Sequence, residues 1–161
     1  MAKTLLRPSL YDQDFLAWTE QQAALLRAGR LDQLDRDNLA EELDTMGRSE
    51  WGELENRLEV LLMHMLKWDH QPARRSRSWK ATMREQRNAI RRLMRRSPSL
   101  KRSLETTIAE VYPDAEGRAI DETGLSAARF PERLPYSVAE VLEPEPAATA
   151  PPPVTRRGRR R

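Results

Sequence analysis

The chain reads as an all-α protein, a compact bundle of about five helices with a long, kinked central helix and a disordered C-terminal tail. Three observations predict this. Apolar residues recur at steps of three and four over most of the chain, no run alternates with period two, and no Asn-Gly or Asp-Gly turn separates apolar stretches.

The elements follow in order. Ser9 with Asp12 has the form of a capping box, and Tyr11, Phe15, Trp18 and Leu25 then share one face of a first helix. Gly29 suits the left-handed residue that closes it. Leu34 and Leu39 bracket Asp35 as a hydrophobic staple brackets an N-cap, so a second helix starts there. Its apolar positions run 39, 43, 46, 51, 54, 58, 61, 65 and 68, with one step of five across Gly47. That step takes the stripe out of register, and a kink or break is expected between Gly47 and Gly52.

From Leu58 the same helix is apolar nearly all round, the pattern of a helix enclosed by others and hence the expected centre of the core. Gln71-Pro72 ends it. Ser76 or Ser78 caps the next helix, which turns Trp79, Met83, Ile90 and Leu93 inward. Ser97-Pro98 starts another, with Ser97 as N-cap, Leu100, Leu104, Ile108, Val111 and Ala115 on its buried face, a kink at Pro113 and closure at Gly124. Ser137 with Glu140 caps a short last helix, Val138 to Leu142. The expected organisation is a flexible N-terminus over 1–8, a single helical domain over 9–145 and a Pro/Ala-rich disordered tail over 146–161.

Composition excludes several classes. The 161 residues contain no cysteine, so disulfides, thiolate nucleophiles and zinc-thiolate sites are absent. The N-terminus lacks the apolar core of a signal peptide, and the longest apolar stretch falls well short of the roughly 20 residues of a membrane span. A soluble, cytoplasmic protein is expected. The net charge of +3 includes five tail arginines, leaving 3 − 5 = −2 elsewhere. Charge is segregated: ten acids and three bases over 32–59, two acids and thirteen bases over 67–102, ten acids and three bases over 105–145.

The motifs LYDQDFLAW, DNLAEELDTMGRSE, LLMHMLKW, QPARRSRSW and FPERLPYSVAEVL, in that order, make the chain resemble the bacterial family catalogued as domain of unknown function 29, over about residues 9 to 145. The pair LLMHMLKW and QPARRSRSW is the most specific part of the resemblance. It implies a compact, helical, cytoplasmic protein and assigns no activity, so no catalytic residue is carried over. Glu41, Glu42, Gly47, His64, Lys67, Trp68, Gln71, Pro72, Ser78 and Trp79 stand at positions that match the family's pattern.

Among residues that could carry chemistry, His64 lies in the most apolar run, where the ordinary expectation is a core imidazole satisfied by a neighbour. The sharper alternative pairs it with Glu41 or Glu42 as a general base or metal site, and Glu42 with His64 is the only catalytic pair worth naming. No Glu-x-x-His pattern is present and the two histidines are six apart, so no metal and no cofactor is expected.

The stronger signal is basic. Arg77, Lys80, Arg84, Arg87, Arg91 and Arg95 follow one another at steps of 3, 4, 3, 4 and 4, a continuous stripe beside the apolar face of their helix. Such a row suits phosphate groups, with Arg156, Arg157, Arg159, Arg160 and Arg161 adding non-specific affinity for polyanions. The competing reading has Glu50, Glu53, Glu55 or Glu59 neutralise the stripe by antiparallel packing. The expected function is non-catalytic binding of nucleic acid or another polyanion through the stripe. The alternative is an interaction module whose opposite charge patches meet an acidic protein or a second copy of the chain.

Overall fold

The computed structural model describes residues 9–143. The expected flexible N-terminus over 1–8 and the tail with its arginine cluster lie outside the described residues. Six α-helices and no strands occur among the latter: α1 (Leu10–Gln13), α2 (Phe15–Arg27), α3 (Arg36–His70), α4 (Arg77–Arg96), α5 (Leu104–Thr123) and α6 (Val138–Leu142). The protein is all-α. Residue contacts divide it into two compact units, Met1–Glu50 and Trp51–Arg161, and α3 contributes its first part to one and its second part to the other.

In the first unit the expected opening helix is divided. Ser9 and Asp12 form their capping box, but Asp14 adopts an extended backbone and its side chain accepts the Ala17 amide at 2.9 Å, so it caps a new helix. An Asp inserted one turn after a cap competes for the same backbone donors, and here it wins. Gly29 follows α2 with φ at +70°, the left-handed closure that its sequence position implied.

Polar contacts fix α2 against the start of α3. The Trp18 indole N–H donates to Asp35 Oδ2 at 3.1 Å, the Asn38 amide donates to the same oxygen at 2.8 Å, and the Asp35 backbone N–H donates to Gln22 Oε1 at 2.9 Å. The hydrogen bonds from Asn38 and Trp18 hold the Asp35 carboxyl below its ordinary pKa. Tyr11 donates to Glu42, which raises the phenol's pKa. Only Trp18 and Gln22 are buried along α2, and no residue of α3 before Leu54 is.

α3 is an uninterrupted helix of 35 residues, passing through Gly47 and Gly52 without the break that the sequence allowed. Each Gly costs about 1 kcal/mol relative to Ala, less than ending and renucleating a helix.

The second unit has an extensive core. Leu54, Leu58, Leu61, Leu62 and Leu66 of α3 are fully buried against Ile90 of α4, Ile108 of α5 and Val141 of α6. Each such side chain contributes roughly 1.5–3 kcal/mol of burial, so this cluster dominates the unit's stability. Ser76, rather than Ser78, caps α4 by accepting the Trp79 amide at 3.2 Å.

Ser97 makes no side-chain cap to the next element. Pro98–Ser103 is a 3₁₀ turn, and α5 begins only at Leu104. Its expected buried face holds, and the helix continues through Pro113. Pro113 and Ala109, whose carbonyl loses its amide partner, are both exposed, so water can satisfy that carbonyl and the helix is not ended. Gly124 closes α5 with φ at +66°, and Ser137 with Glu140 forms the expected capping box of α6.

Candidate polyanion interface

α4 carries eight bases, Arg77, Lys80, Arg84, Arg87, Arg91, Arg92, Arg95 and Arg96, against the single acid Glu85. Its inward face, with Met83, Ala89, Ile90, Leu93 and Met94, is held in the core, which orients the basic positions on the remaining faces. Five of the six stripe residues separate into two groups, and the sixth, Lys80, lies over the Trp68 ring.

Arg87 and Arg91 are structural. Arg87 is only 6% exposed, and its Nε and Nη2 donate to the carbonyls of Val141 and Glu140 at 2.8 and 3.3 Å. Arg91 Nη2 donates to the Leu142 carbonyl, and its Nη1 to Asn88 at 3.2 Å. These carbonyls are at the end of α6, where they have no partner within the helix and the helix dipole is negative. Two guanidinium groups of the stripe thus cap a five-residue helix that is too short to persist alone.

Arg77, Arg84 and Arg95 are exposed and engage no carboxylate among the described residues. Of the acids that could have neutralised the stripe, Glu53 takes Arg57 at 3.0 Å and Arg96 at 3.3 Å, and Glu59 takes Arg118 at 2.9 Å. A cavity of about 450 Å³ opens on this face, lined by Arg77, Lys80, Ala81, Met83, Arg84, Arg87 and Arg91. It combines a small apolar floor with a cationic wall.

Two residues outside the stripe, Trp68 and Arg75, enlarge the face around Lys80. The Arg75 guanidinium and the Lys80 ammonium each lie 4.9 Å from the centre of the Trp68 ring, and Arg75 Nε donates to the Trp68 carbonyl at 2.9 Å. Cations over an indole are held by its negative face. Helical spacing could not reveal this group, because Trp68 and Arg75 lie on opposite sides of the Pro72 turn.

Glu42 belongs to the first unit and accepts from Tyr11. His64 belongs to the second, half-buried, its Nδ1 2.8 Å from the Val60 carbonyl of its own helix. A carbonyl can only accept, so Nδ1 carries a proton, and burial holds the imidazole pKa below its ordinary value. Beside it, the buried Lys67 pairs with Glu122 and lies 4.8 Å from the centre of the Trp79 ring. That contact keeps the Glu122 carboxyl below its ordinary pKa. Among the described residues no group of three or more His, Cys, Asp or Glu is placed to hold a metal ion, and no helix is long and apolar enough to cross a membrane.

No curated protein and no solved structure matches the chain. One family model does, and it spans residues 10–145, nearly the whole of the helical region. The chain therefore belongs to the family described as Domain of unknown function DUF29.

Proposed function

We propose that the protein binds nucleic acid or another polyanion through the outward face of α4, with Arg77, Arg84 and Arg95 as phosphate contacts and Lys80 beside them. A single observation carries this reading: those three arginines are exposed and without carboxylate partners among the described residues, while Glu53 and Glu59 are engaged by Arg57, Arg96 and Arg118. Guanidinium groups spaced by about 1.5 Å of rise per residue form a row reaching about 27 Å from Arg77 to Arg95, long enough to meet several phosphates. Arg87 and Arg91 serve the face indirectly, because they hold α6 at its edge.

The test is titration of labelled DNA and RNA across a salt series. The full chain is compared with a variant in which the five tail arginines are replaced by Gln, and with Arg77→Glu/Arg84→Glu/Arg95→Glu. Binding that survives the tail replacement and is abolished by the triple variant supports the reading. On duplex DNA its log affinity should fall by about 0.9 per phosphate contact per log unit of salt. Binding that depends on the tail alone, or equal binding by the triple variant, removes α4 as the site.

A further inference from the structure

The first unit leaves its apolar side open. Trp18 and Gln22 are its only buried residues along the paired helices, and Gln22 is committed to the Asp35 amide. Along the same side run Phe15 and Leu26, both 50% exposed, with Leu43 at 66% and Met46 at 65%. These line a groove of about 440 Å³ between α2 and the first part of α3, in which Thr19, Gln22 and Glu42 are the polar members. A unit of this size cannot build a sufficient core from two helices.

We propose that this groove is a dimerisation surface, occupied by the same groove of a second copy, so that two helix pairs close into a four-helix bundle. Three considerations select this occupant. The first is geometric: α2, with 13 residues, and the 36–50 part of α3 are each about 20 Å long, so two such pairs match in length end to end.

The second is area. At the observed exposures Phe15, Leu26, Leu43 and Met46 present about 100 Å² each, roughly 800 Å² for two copies. Leu39, Ala23, Thr19 and Glu42, all partly exposed in the lining, bring a face-to-face pair past the roughly 1,000 Å² at which specific interfaces begin.

The third is charge. Acids outnumber bases ten to four over 9–50, but Glu42 is the one charged residue in the groove lining, and it accepts from Tyr11 of its own unit. An apolar lining with a single, internally bonded charge is self-complementary, as an isologous interface requires. Burial of apolar surface, unlike pairing of opposite charges, does not weaken with salt.

The mass of the full chain by light scattering and sedimentation over about 1–100 μM protein, at low and high salt, tests this. The expected result is a dimer in the micromolar range that is unchanged or tightened by salt. Leu43→Asp and Met46→Asp should each weaken it at least about 100-fold, with circular dichroism showing that helix content is retained at these exposed positions.

Leu16→Asp is the control: Leu16 is 68% exposed on α2 but does not line the groove, so its variant should dimerise normally. A monomer at every concentration overturns the proposal, as does a dimer indifferent to Leu43→Asp or equally disrupted by Leu16→Asp. A monomer that dimerises only after deletion of residues 1–8 also overturns it, by making the chain's own N-terminus the occupant. Loss of association in high salt replaces the apolar groove with charge pairing.

Discussion

The two parts of α3 each carry apolar residues at steps of three and four and meet different fates. In the second unit Leu54, Leu58 and Leu61 are fully enclosed, whereas in the first Leu43 and Met46 stand about two-thirds exposed at equivalent steps. Periodicity identifies which side of a helix is apolar. Whether that side is covered depends on how many other elements the chain places against it: α4, α5 and α6 supply a core for the second unit, and among the described residues the first has only α2 and the short α1.

The sharpest way to break this comparison is to delete equal side chains from the two parts. Leu58→Ala or Leu61→Ala should lower the free energy of unfolding by about 2–5 kcal/mol in urea titrations. Leu43→Ala, measured where the protein is monomeric, should stay within about 0.5 kcal/mol. Equal losses would mean that the groove is filled within one chain.

The two groups of stripe arginines offer a second contrast. Arg87→Met removes donors from buried carbonyls and should cost about 1–3 kcal/mol, with faster hydrogen exchange in α6. Arg84→Met should leave stability within about 0.5 kcal/mol while weakening polyanion binding. If both variants were equally destabilised, Arg84 would be structural as well.

Smaller effects appear in pH dependence, and they fall within the second unit. The Tyr112 hydroxyl donates to the Pro131 carbonyl at 2.6 Å and burial pushes its pKa to about 12, while burial and the 2.7 Å bond to Asp69 raise that of Tyr136 further. Because both phenols ionise near pH 10 when unfolded, stability should be fully present below that value and decline above it. Tyr112→Phe with Tyr136→Phe should flatten the alkaline limb. A limb unchanged in the double variant would place its origin elsewhere.

His64 has the smallest expected effect. Its folded pKa is depressed, so the unfolded chain takes up the proton first as pH falls through about 6.5, and stability decreases until the folded pKa is passed. His64→Gln should remove that slope in urea midpoints measured from pH 8 to 5. A slope that persists would exclude His64 as its source.

Much of the fold was determined locally and is therefore legible in the sequence. Capping boxes at Ser9 and Ser137, left-handed glycines at 29 and 124, the Gln71-Pro72 stop and the all-round apolar run after Leu58 each act within a few residues, and each appears as its chemistry dictates. The family resemblance was readable for the same reason, in the order of its motifs. Competition between local signals was harder to read: Asp14 divided the first helix, and Pro98–Ser103 became a 3₁₀ turn in place of a Ser97-capped helix start.

What only tertiary structure decided is the partnership of each charged or apolar group. Equal spacing made Arg84 and Arg87 equivalent members of a stripe, yet α6, brought back from about fifty residues away, withdrew Arg87 and Arg91 to cap its carbonyls and left Arg84 outward. Likewise Glu53 and Glu59 had several basic partners within sequence reach, and packing assigned them to Arg57, Arg96 and Arg118. Hydrogen bonds and ion pairs act over a few ångströms in space, so separation along the chain carries no record of them. The sequence by itself determined the helices and their amphipathic sides; the tertiary structure decided which of those sides are buried, which are committed to other elements and which remain for a partner.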